Sequence, residues 1–180
     1  MARLLDDYRS RISKELAGKL GKKNSMAVPR LLKICINSGI GKGNTEPKML
    51  DEAVENLAAI TGQKAVVTKA KKSVANFNLR RGFRIGCRVT LRGKRMYEFF
   101  DRLVNVAMPR IRDFSGMPRT AFDGRGNYTM GLDDPLIFPE VNPDKVQFGK
   151  GMSVTIVTSA KKNAEAEALL EAMGFPFKRD

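Results

Sequence analysis

Residues 84–92 alternate between two kinds of side chain over nine successive positions. Small or aliphatic side chains stand at the odd positions: Ile85, Cys87, Val89 and Leu91. Basic or hydroxyl-bearing side chains stand at the even positions, Gly86 excepted: Arg84, Arg88, Thr90 and Arg92. Because successive residues of a strand point to opposite faces, this pattern predicts a strand with one buried face. Its other face displays polar groups about 7 Å apart, which is near the spacing of successive phosphates along a nucleic-acid strand.

Positive charge is concentrated in the same part of the chain. The 180 residues include 33 Lys and Arg against 19 Asp and Glu, a formal net charge of +14. Residues 61–112 hold 14 basic and 2 acidic side chains, whereas residues 113–180 hold 8 basic and 10 acidic ones. So uneven a distribution is typical of a surface that binds a polyanion such as RNA. The alternative is a charged face that serves only to keep an open sheet hydrated.

The residue types that are missing exclude several classes of enzyme. Without histidine, the chain has no Ser–His or Cys–His catalysis and few routes to a zinc site. Cys35 and Cys87 are too few for a disulfide framework, and we expect both to be small strand residues rather than nucleophiles. We therefore predict a protein that is not an enzyme and needs no cofactor and no metal.

A glycine-rich segment at residues 37–43 invites comparison with phosphate-binding loops. It is no Walker A motif, because Gly43 stands where that motif has Ser or Thr. It is no dinucleotide fingerprint either, because Asn44 occupies the third glycine position. A turn whose backbone approaches RNA phosphate and a plain structural turn remain equally good interpretations.

The hydrophobic pattern predicts helices over residues 4–16, 94–108 and 161–173. It predicts one more helix, which residues 45–47 open and Gly62 closes, with apolar residues from Leu50 to Ile60 on one face. It predicts strands over residues 31–37, 65–69, 84–92 and 154–158, with Leu32, Ile34 and Ile36 inward in the first and Lys33, Cys35 and Asn37 outward. Residues 113–150 are predicted to form hairpins and long loops. Strands mixed with helices, without regular alternation, favour an α+β fold in two layers, which we assign to a single domain over residues 1–180.

No apolar run approaches the length of a membrane span, and the N-terminus lacks the apolar stretch of a signal peptide. We therefore expect a cytoplasmic protein without a membrane partner.

Residues 70–83 form a basic segment without sustained periodicity, and we predict an extended loop. Its cations suit phosphates, whereas Phe77 and Phe83 suit either base stacking or burial against the core.

Two further segments are interpreted as structural rather than functional. The turn dipeptides of residues 122–128 predict a hairpin, and Asp133 with Asp134, lacking a partner base or metal ligands, predicts a solvated loop.

Ordered sequence blocks resemble one known family along essentially the whole chain. They comprise residues 28–34 (VPRLLKI), 37–41 (NSGIG), 57–64 (LAAITGQK), 68–73 (TKAKKS), 85–93 (IGCRVTLRG), 95–99 (RMYEF), 109–114, 122–128, 137–140 and 175–177. The chain resembles the bacterial ribosomal protein L-five family, whose members bind 5S ribosomal RNA in the central protuberance of the large subunit. The resemblance implies a mainly antiparallel sheet with helices on one face and RNA on the other.

The resemblance also implies three groups of functional residues. Asn37, Gln63 and Thr90 occupy positions that contact 5S RNA in the family, and we add the nearby cations Lys69, Lys71, Lys72, Arg88 and Arg92. The loop of residues 73–83 matches one that reaches P-site tRNA, with Ser73, Asn76, Phe77, Asn78, Arg80, Arg81 and Phe83 as candidates. The C-terminal half meets the small-subunit head in an intersubunit bridge. From charge complementarity we assign Asp133, Asp134 and Asp144, beside Glu140, to a basic protein there. Large-subunit RNA and neighbouring large-subunit proteins are the remaining expected partners.

Overall fold

The computed structural model describes residues 3–41 and 46–178, the side chain of Lys145 excepted. In this part of the chain, four helices and a five-stranded antiparallel sheet confirm the predicted α+β class. Residues 42 and 43 of the glycine-rich segment, together with Asn44 and Thr45, lie outside the described residues. No helix within those ranges is both long and apolar enough to cross a bilayer.

The helices follow the predicted apolar spacing. Helix α1 spans residues 3–19 and contains a wider π-helical turn at Tyr8–Ile12. Helix α2 is Pro47–Thr61, begins with a proline in its first turn and ends at Gly62, whose φ of 64° suits a glycine. Helix α3 is Gly93–Arg102, extended by a π-helical turn at Leu103–Ala107 and a 3-10 turn at Met108–Arg110. Helix α4 is Asn163–Ala172.

The five strands are β1 (Leu31–Gly39), β2 (Val66–Lys69), β3 (Arg84–Leu91), β4 (Tyr128–Leu132) and β5 (Met152–Thr158). They lie in the order β2-β3-β1-β5-β4. The predicted inward side chains of β3 are all at least half-buried, and Cys87 and Leu91 are completely inaccessible. Arg84 and Arg88 are exposed, so the two faces predicted from the alternation are confirmed.

Two compact units make up the chain. Unit 1 comprises residues 1–34, 91–130 and 155–180, and unit 2 comprises residues 35–90 and 131–154. The core of unit 1 includes Ile12, Leu16, Phe99, Phe100 and Tyr128, each almost fully buried. The core of unit 2 includes Ile36, Leu50, Leu57, Ile60 and Val89.

Two expectations need correction. The alternation predicts Leu32 to be inward, but its side chain is 40% exposed, whereas the neighbouring Leu31 is only 4% exposed. The reason is that Leu32 stands near the start of β1, where it lines an open groove with Tyr8 and Tyr97. Strand β4 was missed inside the stretch predicted as hairpins and loops. Its five residues nevertheless alternate, with Tyr128, Met130 and Leu132 buried and the two residues between them exposed.

Candidate nucleic-acid interface

The outward residues of β2 and β3 lie opposite one another in unit 2. Val66 pairs with Arg88 and Thr68 with Gly86, and directly opposed residues of antiparallel strands share a face. Arg88 is exposed, and so is Val66, at 61% of its surface. A guanidinium and an aliphatic side chain therefore stand side by side towards solvent. The sequence predicted Arg88 here but gave no role to Val66, whose only signal is its place in a strand beside the basic one.

Strand β1 continues this face on the other side of β3. The Cys35 thiol lies 3.8 Å from the Thr90 hydroxyl, and the Ile40 N–H donates to the Ile85 carbonyl at 2.8 Å. Both strands advance five residues between these two contacts, so the antiparallel register places Asn37 opposite Arg88. Asn37 is exposed, and its backbone carbonyl accepts from the Ser153 hydroxyl at 3.3 Å.

Gln63 follows the end of α2 and bonds to the backbone of β3. Its side-chain amide donates to the Thr90 carbonyl at 3.5 Å. The buried Thr61 hydroxyl donates to the Leu57 carbonyl at 2.6 Å and accepts from the Gln63 N–H at 3.3 Å. These bonds fix the backbone at the helix end and thereby the direction of the glutamine. We call the outward residues Cys35, Asn37, Val66, Arg88 and Thr90, together with Gln63 bonded to the Thr90 carbonyl, the polar sheet face.

Gly86 permits the close approach of β1 to β3 beneath this face. A Cβ atom at Gly86 would lie 2.6 Å from the Ser38 carbonyl oxygen and 3.2 Å from the Thr68 hydroxyl. Only glycine therefore fits without moving a strand. This requirement cannot be found in a single sequence, because the crowding comes from a different strand.

The predicted cations of unit 2 are available to a polyanion. Arg88, Lys69, Lys71 and Lys72 are all exposed, and within residues 3–41 and 46–178 none of them forms an ion pair. Lys69 lies opposite Arg84, after an irregularity in the pairing that follows Thr68. The remaining predicted cation, Arg92, belongs to unit 1, where it is exposed just before α3.

Residues 70–83, which we call the basic loop, form a hydrogen-bonded hairpin. At its base the Ala70 N–H donates to the Phe83 carbonyl at 2.8 Å, and the Gly82 N–H donates to the Ala70 carbonyl at 2.9 Å. Nearer the tip, Val74 and Leu79 exchange two backbone bonds of 2.8 and 3.1 Å around a 3-10 turn, Ala75–Phe77. The loop is therefore more ordered than its lack of periodicity suggested.

The predicted loop candidates are exposed with a single exception. Phe77 is 79% exposed, so burial against the core is wrong for this ring, whereas Phe83 is half-buried. Asn78 adopts the left-handed conformation that asparagine tolerates, with φ of 49°. The Arg81 N–H donates to the Ser73 hydroxyl at 3.0 Å. The remaining exposed candidates are Asn76 and Arg80.

The acidic candidates also lie in unit 2. Asp133, Asp134 and Asp144 are exposed, whereas Glu140 is half-buried. The Asp134 carboxylate accepts from the Leu136 N–H at 2.8 Å and so begins the short helical turn Pro135–Ile137. Asp134 thus has a local structural role whatever it binds.

The two cysteines occupy ordinary strand positions. Cys87 is completely inaccessible, and burial raises the pKa of its thiol to about 11. A thiol that stays protonated at neutral pH is a poor nucleophile. Within the described ranges, no group of His, Cys, Asp and Glu side chains has the arrangement of a metal site.

Comparison with known proteins decides the family. A family model described as ribosomal protein L5 matches residues 24–80, and one for the C-terminus of the ribosomal L5P family matches residues 84–177. The chain belongs to the ribosomal protein L5 family. It is 58% identical over 176 residues to the large ribosomal subunit protein uL5 of Mesoplasma florum, covering 98% of each chain. It is 55% identical over 178 residues to the protein of the same name from Moorella thermoacetica, covering 99% of each chain.

Membership of this family confirms the resemblance drawn from the ordered sequence blocks. The family consists of structural ribosomal proteins and not of enzymes, so the prediction of a non-enzymatic protein also holds. The roles of individual residues remain predictions.

Proposed function

We propose that this chain is a structural constituent of the large ribosomal subunit and that its polar sheet face binds 5S ribosomal RNA in the central protuberance. One observation carries the proposal. Asn37 and Arg88 lie opposite each other on the neighbouring strands β1 and β3, and the Gln63 side chain bonds to the Thr90 carbonyl of β3. Residues far apart in the sequence thus form one polar surface beside exposed cations. The chain would act within cytoplasmic ribosomes.

Two kinds of contact have different tasks on this face. Arg88 and the lysines at the start of the basic loop neutralise phosphates, which gives affinity that falls as salt rises. Amide and hydroxyl groups such as those of Asn37 and Thr90 bond to sugar and base edges and fix the position of a shaped RNA. Val66 adds an apolar surface for a ribose or a base.

The basic loop is proposed to contact the elbow of P-site tRNA. Its support is the exposure of Phe77 at the end of a hydrogen-bonded hairpin that also displays Arg80 and Arg81. An aromatic ring beside cations suits a nucleic acid, because the ring stacks while the cations neutralise phosphates.

The exposed carboxylates Asp133, Asp134 and Asp144 are proposed to meet a basic protein of the small-subunit head in an intersubunit bridge. Charge complementarity supports this assignment in a chain whose net charge is otherwise strongly positive. Large-subunit RNA and neighbouring large-subunit proteins complete the proposed partners.

Substitution of the polar sheet face tests the 5S proposal. Arg88→Ala should weaken 5S RNA binding in a filter-binding titration, by about fivefold at 0.1 M salt for one lost phosphate contact. Arg125→Ala removes another exposed arginine, which lies in unit 1, and serves as the matched control. Both variants should unfold at the wild-type urea concentration. Equal affinities of the two variants for 5S RNA would contradict the assignment.

A deletion tests the division between the two surfaces. Removing residues 74–81 and joining Ser73 to Gly82 retains the hydrogen bonds at the base of the basic loop. This variant should bind 5S RNA like the wild type yet protect P-site tRNA less well in reconstituted ribosomes. Loss of 5S binding on deletion would show that the two surfaces are not separate.

A further inference from the structure

Unit 1 contains a groove of about 640 Å³ that none of the functions above uses. Its volume is in the range of sites that hold small organic groups, about 300–1,000 Å³. Helix α1, the start of β1 and the start of α3 provide its walls. The residues that matter most are Tyr8, Arg9, Arg30, Leu32, Lys94 and Tyr97.

The floor of the groove is aromatic and apolar. The rings of Tyr8 and Tyr97 lie 6.3 Å apart with an angle of 39° between their planes. The Tyr8 hydroxyl donates to the Pro29 carbonyl at 2.8 Å, which holds this ring in place. Leu32 adds a side chain that is 40% exposed. A flat ring entering the groove would therefore meet apolar surface that now faces water.

The rim of the groove is cationic. Arg9, Arg30 and Lys94 are exposed, and no ion pair forms at any of them within residues 3–41 and 46–178. Among the described residues that line the groove, Asp6 is the one acidic side chain, so the positive charges prevail. The backbone of Arg30 is fixed by two bonds of 2.9 Å with Ser159, one donated by each residue.

Lys94 occupies an unfavourable place for local stability. It stands in the first turn of α3, where the helix dipole disfavours a cation and where no acidic residue compensates. Its charge therefore suits an anionic partner better than it suits the helix itself.

We propose that this groove binds one unpaired nucleotide of RNA, with its base over Leu32 and Tyr8 and the flanking phosphates on Arg9, Arg30 and Lys94. Planar guanidinium groups match phosphate oxygens in pairs, and an aromatic floor under a cationic rim suits a base attached to a charged backbone. The groove goes beyond the proposed function, because it lies in unit 1 and shares no residue with the polar sheet face.

The chain supplies its own optical probe for this site. It has no tryptophan and three tyrosines, of which Tyr8 and Tyr97 line the groove. Tyrosine fluorescence of the full-length protein should therefore fall on titration with the oligonucleotides hexauridylate or hexaadenylate at neutral pH. Binding should weaken linearly on a log–log plot against salt.

Paired double variants show whether the rim causes this binding. Arg9→Gln with Arg30→Gln removes two rim charges, whereas Arg125→Gln with Lys161→Gln removes two exposed charges elsewhere in unit 1. Each lost phosphate contact should weaken binding about fivefold at 0.1 M salt and reduce the slope of the salt dependence by about 0.7. The rim variant should thus bind the oligonucleotide about 25-fold more weakly than the wild type. The control variant should bind within a factor of two of the wild type, because it keeps the three rim cations.

Three results would overturn the proposal. Equal weakening in both double variants would show that general charge causes the binding. Loss of the fluorescence change in Arg88→Ala would show that the signal comes from the polar sheet face. A fluorescence change produced by a hexaglutamate peptide, but not by either oligonucleotide, would assign the groove to an acidic protein segment. Failure of 5S binding in Arg88→Ala alone leaves the groove intact, so the two proposals fail separately.

Discussion

Replacing Gly86 by alanine introduces a methyl group where β1 approaches β3. The new Cβ would lie 2.6 Å from the Ser38 carbonyl oxygen and 3.4 Å from Gly39 Cα. Comfortable carbon–oxygen contacts begin near 3.3 Å, so one strand must move by about 0.7 Å. Since the nearest atom belongs to a backbone, no side-chain rotation relieves the contact. Overpacking of this kind costs about 1–3 kcal/mol of unfolding free energy.

Gly39→Ala is the matched control for this substitution. Gly39 lies on the neighbouring strand, and a Cβ atom there would meet nothing within 4 Å. Its expected effect is a change within about 0.5 kcal/mol or a gain of up to about 1 kcal/mol, because alanine restricts the unfolded chain.

Urea unfolding followed by circular dichroism measures both variants, and filter binding of 5S RNA measures the surface. Gly86→Ala should unfold at lower urea and bind 5S RNA more weakly, since displacement of β1 moves Asn37 away from Arg88. Equal unfolding midpoints and equal affinities for the two variants would refute the proposed role of close strand approach.

Three further predictions concern single side chains. Cys87 is inaccessible, and burial raises the pKa of its thiol to about 11. N-ethylmaleimide at pH 8 should therefore label Cys35 in the native protein but Cys87 only in urea. Peptide mass mapping that finds both cysteines labelled at equal rates in the native protein would contradict this prediction. Asp123 accepts three hydrogen bonds, two from Asn127, and they lower the pKa of its carboxyl. Because solvent screens this exposed carboxylate, Asp123→Ala should cost less than about 1 kcal/mol at pH 7. This cost is present above the ordinary pKa of about 3.9 and is lost as pH falls through the lower folded pKa. The difference in urea midpoint between variant and wild type should therefore be smaller at pH 3 than at pH 7. An equal difference at the two pH values would contradict this prediction. Phe77→Ala should change the unfolding free energy by less than about 0.5 kcal/mol, because the ring is 79% exposed. The same substitution should weaken the protection of P-site tRNA. A large loss of stability would instead show that the ring packs against the protein in solution.

The spacing of apolar residues in the sequence predicted the two faces of β3 and the position of α2. The alternation of residues 84–92 gave both faces of β3, because a period of two is sufficient to assign them. The apolar spacing of α2 predicted a helix that opens within residues 45–47 and is closed by Gly62, and the observed helix is Pro47–Thr61. Leu32 failed the same reasoning because alternation says which side a residue faces, and the other elements decide whether that side is covered.

Features that depend on contacts between distant segments of the chain could not be predicted from local sequence patterns. The hydrogen bond from Gln63 to Thr90 joins residues 27 positions apart, and the crowding at Gly86 arises between strands. Asn37, Gln63 and Thr90 were named through family resemblance, whereas their grouping with Val66 required the strand register. The groove of unit 1 is formed by three segments that are distant in the sequence, so no single local pattern predicts it.

The affinity of the purified chain for 5S RNA and for a size-matched control RNA, measured across a salt series, tests the proposed function most directly. Both affinities should decline on a log–log plot by about 0.7–0.9 per phosphate contact. If the polar sheet face recognises the shape of 5S RNA, that RNA should remain much more tightly bound as salt rises and the charge contribution fades. If both affinities fall together to the same value, the net charge of +14 accounts for all the binding, and the polar sheet face recognises nothing specific.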